Sequence, residues 1–199
     1  MKDHWYGDKR DLVKWGALIH LARENGITNI IQVAFLRRIG NLPTLLTSQG
    51  EVTIAAEVWT HFRDVAMIKG LGYAVGMNII LIADEYRPAK RADYVQAALE
   101  TTRQMGPGPK IVFLDPDTGI APARALAEHV KDVEIQAFWS HLVAGDWLAL
   151  YQHAPRQRNW LESKRASFAR ICGLRTADVR KFTSPAVARD VVFFAACKS

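Results

Sequence analysis

The sequence predicts an α/β fold in which a mostly parallel sheet carries helices on both faces and has an antiparallel C-terminal edge. Along the chain, apolar residues alternate between helical spacing and short continuous runs typical of strands. These runs are apolar on both faces, as are the strands of a parallel sheet that is covered on both sides. The last two runs are joined by a link too short for a helix, which predicts a pair of antiparallel strands.

Length and composition predict one domain. The chain has 199 residues, of which 49% are hydrophobic and 23% are charged. This length is sufficient for one well-buried core and short for two. We therefore predict a single domain over residues 1–199, and the composition excludes both a disordered tail and a small disulfide scaffold.

In the first half of the chain, helical and strand-like patterns alternate around one loop excursion. Apolar residues fall on one helical face over residues 11–24, and Asn25-Gly26 is a typical helix stop. The predicted elements are, in order, a helix over residues 11–24, a strand over 30–36, a loop excursion around 40–52, a helix from residue 54 to Gly70 or Gly72, and a strand over 78–83.

The second half continues this alternation and ends in two strands. Gly106-Pro107-Gly108-Pro109 breaks a helix, and Pro122 suits the first turn of another. The predicted elements are, in order, a helix over residues 92–105, a strand over 110–114, a helix that begins at Pro122, a strand over 146–151, a helix over 160–171, and paired strands over 179–182 and 191–197. This order fits a Rossmann-like sheet of the methyltransferase type.

Positive charge is concentrated near the C-terminus. The formal net charge is +6 at pH 7, and residues 156–189 contain nine Lys or Arg against the two acids Glu162 and Asp178. This local excess predicts an anionic partner such as RNA or DNA. Arg156 and Arg158 would bind it at the mouth of the crevice that such a sheet forms at the carboxyl ends of its strands. The alternative is a solvated helix surface over residues 160–171.

Cysteine usage and short apolar runs predict a cytoplasmic protein with no membrane contact. Cys172 and Cys197 are not part of a CxxC pair, as expected of structural thiols in a reducing compartment. The first residues carry charge and no apolar run, so no signal peptide is predicted. Every apolar stretch is shorter than the ~20 residues that span a bilayer. The six histidines show no zinc-binding spacing.

Polar residues follow three of the predicted strands, at the end where parallel sheets place their sites. They are Asp84-Glu85, Asp115-Pro116-Asp117-Thr118-Gly119 and Gln152-His153. In the second segment, Pro116 restricts the backbone and Gly119 allows the chain to turn. A carboxylate is therefore held at a fixed point in the crevice at the strand ends. The alternative for this segment is ordinary turn chemistry.

Three segments carry a resemblance to a known family. Gly7-Asp8-Lys9-Arg10-Asp11-Leu12-Val13-Lys14 has the pattern Gly-polar-x-x-Asp-apolar-apolar-Lys, and Leu114-Asp115-Pro116-Asp117 and Leu150-Tyr151 end predicted strands. In the same register, these segments resemble the Gly-Asn-x-x-Asp-apolar-apolar-Lys, Asp-Pro-Pro-Tyr and Trp-Tyr-Pro motifs of the large-subunit ribosomal RNA adenine-N6 methyltransferases. The resemblance extends over much of the chain in outline, and it implies an S-adenosylmethionine-dependent enzyme that acts on nucleic acid.

The resemblance implies a cofactor site and a catalytic acceptor. Lys14, with Asp8 and Asp11 of the same segment, would bind S-adenosylmethionine. Asp115, with Asp117 beside it, would accept a hydrogen bond from the target amine and prepare its lone pair for attack on the methyl group. Little else is required, because the sulfonium methyl is already activated and the protein mainly supplies position.

Three more side chains near these segments are predicted to bind the substrate. Tyr6 would stack on a base, and the alternative is that it packs at the N-terminus. Tyr151 and His153 end a predicted strand, and the alternative for His153 is a structural hydrogen bond. The chain departs from the family after the first strand, where a glycine-rich turn is expected and residues 33–40 contain Gly40 alone.

Other functions also fit the turn at residues 115–119. An apolar strand followed by Asp115 and Asp117 resembles the first motif of haloacid-dehalogenase-type phosphohydrolases, in which one Asp is the nucleophile, the other an acid/base, and magnesium the cofactor. A magnesium-dependent nuclease would add Asp84 and Glu85, provided that the strand order brings these carboxylates together. A non-enzymatic hypothesis is a degenerate methyltransferase fold that binds nucleic acid or protein.

Overall fold

The computed structural model of the protein describes residues 7–37, 44–48, 50–55, 57–58, 64–106, 108–123, 125–155 and 157–199. The predictions made for Tyr6, for Arg156 and for part of the 40–52 excursion lie outside these residues. At the centre of the described part is a six-stranded sheet.

Strands and helices alternate along the described residues. The strands are β1 (Asn29–Val33), β2 (Thr44–Thr47), β3 (Gly50–Thr53), β4 (Asn78–Ile82), β5 (Lys110–Leu114), β6 (Gly119–Ile120), β7 (His129–Val130), β8 (Trp147–His153), β9 (Arg180–Ser184) and β10 (Ala188–Cys197). The helices are α1 (Lys9–Glu24), α2 (Ile68–Val75), α3 (Arg91–Gln104), α4 (Asp132–His141) and α5 (Trp160–Cys172).

The strand order in the central sheet is β4-β1-β5-β8-β10-β9. β1 pairs in parallel with β4 and β5, and β5 pairs in parallel with β8. β10 is antiparallel to both of its neighbours, β8 and β9. The predicted mostly parallel, Rossmann-like sheet of the methyltransferase type is therefore confirmed, with the antiparallel strand one position inside the edge formed by β9.

Both faces of the sheet are buried. Neighbouring strand residues such as Ile30 and Ile31 are both fully buried and belong to apolar clusters on opposite faces. The cluster that contains Ile30 includes residues of α1 and α2, and the cluster that contains Ile31 includes residues of α3, α4 and α5. This burial on both faces explains why the strands read as continuous apolar runs.

Two predicted boundaries are wrong for backbone reasons. β1 ends at Val33 instead of continuing to residue 36, because Phe35 has a left-handed φ of 46° that no strand accommodates. The helix predicted from residue 54 is not continuous, since residues 54, 55 and 64 are not helical, and α2 begins only at Ile68. α2 then continues through Gly70 and Gly72 and ends at Gly76, whose φ is 70°. Gly72 is needed inside the helix, since a Cβ there would lie 2.7 Å from the carbonyl oxygen of Met77.

The helix predicted to begin at Pro122 is also wrong. β7 lies within this stretch and pairs in parallel with β6, which precedes Pro122, and α4 begins only at Asp132. The start of α4 is fixed by Glu134, whose Oε2 accepts a 2.8 Å hydrogen bond from the backbone N–H of Lys131. A carboxylate three residues after the N-cap was the signal for this start.

The described part of the 40–52 excursion is a β-hairpin rather than an irregular loop. β2 and β3 pair antiparallel, with Leu45 opposite Val52, and all of their residues are exposed. Leu46 is 86% exposed. Because neither strand buries a face, the periodicity of buried residues on which strand prediction depends is missing here.

Both cysteines are free, as the sequence predicted. Cys172 is buried, and burial raises the pKa of its thiol to about 12. Cys197 is exposed. None of the described helices is long and apolar enough to cross a membrane.

Candidate functional site

A buried cluster of charges lies where α1 meets the carboxyl ends of the central strands. The ammonium group of Lys14 is 3.0 Å from Asp11 Oδ1 and 2.9 Å from Asp115 Oδ1. Lys14 and Asp11 are each 6% exposed, and Asp115 is fully buried. We call Lys14, Asp11, Asp115, Gln32 and Tyr151 the inner cluster.

Three adjacent strands hold the inner cluster in place. Asp115 directly follows β5, and its N–H donates to the carbonyl oxygen of Val33 at the end of β1. Gln32 of β1 donates through Nε2 to Asp115 Oδ2 at 2.8 Å. From β8, the ring of Tyr151 lies with its centroid 4.3 Å from Lys14 Nζ, which adds a cation–π contact.

Burial and neighbouring charges set the protonation of the inner cluster. Burial favours the neutral form of Lys14, but the charges of Asp115 and Asp11 outweigh it and raise the pKa of Lys14, so this side chain stays cationic. Burial raises the pKa of Asp11 even though Lys14 acts against it. Burial also raises the pKa of Tyr151, so its hydroxyl remains protonated.

A second group of polar side chains lies at the start of α1, and we call Asp8, Arg10, Asp190 and His153 the outer cluster. Asp8 is the N-cap of α1 and accepts from the backbone N–H of Arg10 and of Asp11. The guanidinium of Arg10 contacts Asp8 Oδ2 at 3.2 Å and Asp190 Oδ2 at 2.5 Å. His153 Nε2 lies 3.1 Å from the same Asp190 oxygen.

Asp117 belongs to a separate network. Its carboxylate accepts a hydrogen bond from Arg37, which also lies 3.8 Å from Glu128. The turn after Asp117 is held by Gln152, which accepts from the N–H of Ile120 at 2.9 Å and donates to the carbonyl oxygen of Thr118 at 2.9 Å. Asp115 and Asp117 therefore have different partners, although they are two residues apart.

In the turn after β1, a residue other than glycine adopts the left-handed backbone conformation that glycine usually provides. Phe35 has the left-handed φ of 46°, and its ring packs 5.6 Å from Tyr86 and 5.4 Å from Tyr94, measured between ring centroids. The N–H of Phe35 donates to the hydroxyl of Tyr94 at 2.9 Å. These contacts with buried rings hold a conformation that is costly for a bulky residue.

Among the described residues, the acidic groups at other strand ends do not combine into a metal site. β1 lies between β4 and β5, which separates Asp84 and Glu85 from Asp115. Glu85 pairs instead with Arg87 at 2.6 Å. In the part of the chain that the structure describes, no group of three or more His, Cys, Asp or Glu side chains could hold a metal ion.

Carboxylates neutralise many of the basic side chains between residues 156 and 189. Within the described ranges, the ion pairs are Arg165–Glu162, Arg170–Asp132, Arg175–Asp178, Arg180–Glu24 and Lys181–Glu162. Lys164 donates to the carbonyl oxygen of Ile120 at 3.0 Å. Arg158 and Arg189 are exposed. Much of the C-terminal charge excess is thus a solvated and paired surface.

The structure brings together most of the residues that the sequence indicated. Lys14, Asp11, Asp115 and Tyr151 share the inner cluster, whereas Asp8 and His153 belong to the outer cluster. Three partners were missed: Gln32, Arg10 and Asp190. Gln32 had a signal, because it is a polar residue inside an apolar strand, but Arg10 and Asp190 meet across 180 positions of sequence.

Comparisons with known proteins identify no family for this chain. No family model matches the chain, and no curated protein matches it. The chain is similar to the crystal structure of a DUF574 family protein from Streptomyces avermitilis, with 14% sequence identity and a TM-score of 0.42 over 96% of this chain and 82% of that chain. A likeness this distant carries no argument about function, so the resemblance to ribosomal RNA methyltransferases stays a prediction.

Proposed function

We propose that the carboxyl edge of the sheet binds S-adenosylmethionine and that the protein transfers its methyl group to a nitrogen of a nucleic acid. The observation that carries this proposal is the buried ion pair between Lys14 and Asp115. Burying two charges usually costs more solvation energy than their attraction recovers. Apolar residues of similar size in the same place would often stabilise the fold equally well or better. Charged groups buried at the strand ends of such a sheet are therefore candidates for function.

The inner cluster offers groups that fit the methionine part of the cofactor. Lys14 is a fixed cation for its carboxylate. Gln32 Oε1 is buried and has no hydrogen-bond partner among the described residues, so it suits the amino group of a ligand. Carboxylates outnumber cations across the two clusters, which favours a positively charged sulfonium; they are Asp8, Asp11, Asp115 and Asp190 against Lys14 and Arg10.

The turn after β1 also fits. In cofactor-binding sheets, glycine lets the backbone of this turn approach the ligand closely. Here Phe35 adopts the left-handed conformation itself and directs its ring toward Tyr86 and Tyr94. The special backbone geometry is kept although the glycine is absent.

Methyl transfer needs few further groups from the protein. S-adenosylmethionine supplies a methyl group that is already activated on a positively charged sulfur. Asp115 accepts a hydrogen bond from the acceptor nitrogen and turns its lone pair toward the methyl group. Lys14 and Gln32 hold the carboxylate of Asp115 in the required orientation.

Calorimetric titration with S-adenosylmethionine tests the proposal. We expect the wild-type protein to bind the cofactor and Lys14→Met to bind it at least about tenfold more weakly, a loss of ~1.4 kcal/mol or more. Lys9→Met is the matched control, because Lys9 is an exposed residue at the start of the same helix. This control should bind as the wild type does.

A second variant separates binding from transfer. Asp115→Asn keeps the size of the side chain and removes its charge, so we expect near-normal cofactor binding and loss of methyl transfer from tritiated S-adenosylmethionine to a mixed-sequence RNA. Circular dichroism of each variant checks that it is folded. If the wild-type protein produces neither heat nor a thermal shift at millimolar cofactor, the proposal is wrong.

A further inference from the structure

The outer cluster contains a histidine that contacts a carboxylate through one of its ring nitrogens. His153 Nε2 faces Asp190 Oδ2 at 3.1 Å. An ionised carboxylate can only accept hydrogen bonds, so Nε2 carries the hydrogen in this contact. Neutral His153 is then the Nε2–H tautomer and keeps a lone pair on Nδ1. Its side chain is 35% exposed, so protons can be exchanged with solvent.

Asp190 is held ionised and in place by Arg10. The Nε and Nη2 atoms of Arg10 donate to Asp190 Oδ2 at 3.1 and 2.5 Å, and Arg10 is itself fixed by Asp8. Burial acts to raise the pKa of Asp190, but the bond and the charge of Arg10 prevail and lower it. His153 therefore faces a charged carboxylate with a fixed orientation.

His153 also lies beside the inner cluster. Tyr151 and His153 are alternate residues of β8 and therefore point to the same face of the sheet. Asp8 of the outer cluster accepts a 3.2 Å hydrogen bond from the backbone N–H of Asp11 of the inner cluster. The two clusters thus adjoin at the start of α1, at the carboxyl edge of the sheet.

We propose that His153 is the proton acceptor of the transfer reaction, acting through Nδ1, and that Asp190 and Arg10 position it. This inference rests on the proposed function. A carboxylate that fixes the tautomer of a histidine and stabilises its protonated form is a recurring arrangement in general-base catalysis.

The proton balance defines a substrate class. Attack by an N–H acceptor forms the nitrogen–carbon bond and breaks the carbon–sulfur bond, which leaves a positive charge on the methylated nitrogen. His153 Nδ1 takes the proton from this nitrogen, Asp190 balances the charge of the resulting imidazolium, and the proton then passes to solvent. The acceptor is therefore a nitrogen with a hydrogen to lose, such as an exocyclic amine, rather than a tertiary ring nitrogen.

Nitrogen NMR of the side chain tests the first step of this argument without any acceptor. At a pH where the imidazole is neutral, we expect His153 to be the Nε2–H tautomer in the wild-type protein. In Asp190→Asn the amide is no longer an obligate acceptor, so the tautomers should mix. A neutral His153 that carries its hydrogen on Nδ1 in the wild type would overturn the proposal whether or not an acceptor is found.

Transfer kinetics test the second step. His153→Gln keeps a donor toward Asp190 but cannot take a proton, so transfer from tritiated S-adenosylmethionine to a mixed-sequence RNA should fall by about 10²-fold or more. Calorimetry should show unchanged cofactor binding in this variant. The matched control is His20→Gln, since His20 pairs with Glu24 at 3.3 Å on the exposed side of α1.

The outcomes separate the two proposals. Failure of the wild type to bind the cofactor would refute the proposed function and leave the tautomer of His153 as an independent result. Normal cofactor binding with undiminished transfer in His153→Gln would refute the inference and leave the proposed function standing.

Discussion

Lys14 joins two carboxylates that are distant in sequence. Its contact with Asp11 was predictable, because residues three apart share a helix face. Its contact with Asp115 was not, because it depends on α1 packing across the end of β5. A resemblance in two short segments indicated Lys14 and Asp115 separately, and the fold makes them partners.

Removing this cation should destabilise the protein strongly. Lys14→Met leaves Asp11 and Asp115 buried without a counter-charge, so we expect a loss of about 3–5 kcal/mol in the free energy of unfolding measured with urea. Lys9→Met should stay within about 0.5 kcal/mol of the wild type. A double variant that adds Asp115→Asn should recover part of the loss, and no recovery would contradict the assigned pair.

The pH range of this effect follows from the pKa of Lys14. Its folded-state pKa lies above the ordinary value of 10.5, so the folded protein holds this proton more tightly than the unfolded chain does. The stabilisation is fully present below the ordinary value and is lost only as pH rises through the folded-state pKa. Titration of Lys14 should therefore leave the difference in the free energy of unfolding between wild type and Lys14→Met unchanged across the neutral pH range.

Helices and strands were predicted correctly where buried apolar residues recur with a regular period, and they were missed where this period is absent. α1, β4, β5, α3 and α5 were predicted within two residues at each end. The β2–β3 hairpin and the β6–β7 pair were missed, since the first is fully exposed and the second has two residues per strand. Neither leaves a periodic pattern in the sequence.

The turn at residues 115–119 was predicted as a turn, but its supporting contact comes from another strand. Gln152 of β8 bonds both sides of Gly119 in sequence, at Thr118 and Ile120. Gly119 has a φ of 103°, and a Cβ there would lie 2.3 Å from Gln152 Oε1. Glycine is required for both the backbone conformation and the close approach.

Alanine at two glycines separates these requirements. Gly108 has a similar φ of 115° and open space around its missing Cβ, so Gly108→Ala should cost only the backbone strain, about 1–2 kcal/mol. Gly119→Ala should cost a further 1–3 kcal/mol or so, because it displaces the hydrogen bonds of Gln152. Urea unfolding measures both, and equal losses would show that Gln152 adapts freely.

For the whole molecule, the net charge does not show which basic side chains are free to bind an anion. The basic excess of residues 156–189 predicted an anionic partner, but several of its side chains are paired with acids from other elements, including Glu24 of α1 and Asp132 of α4. Composition gives the count of charges and cannot give these pairs. Arg158 and Arg189 are the exposed cations nearest in sequence to His153 and Asp190, respectively, among the described residues.

Nucleic-acid binding should therefore depend on a few cations. Replacing Arg158 and Arg189 by Glu should weaken binding to a mixed-sequence RNA and reduce the slope of log affinity against log salt by about 2, one for each lost phosphate contact. The control replaces Arg170 and Arg175, which are paired with Asp132 and Asp178, by Glu. Equal weakening by both pairs would indicate unspecific attraction and remove nucleic acid as the substrate.

The position of β10 inside the sheet has a consequence for folding. β10 is the most C-terminal strand, yet it lies between β8 and β9, and Asp190 near its start bonds to Arg10 at the other end of the sequence. During synthesis, the parallel strands can pair before β10 emerges, but the outer cluster cannot form until it does. Such distant contacts form slowly because a long loop must close first. The candidate site is therefore completed late, which delays any activity until the sheet is closed around its final strand.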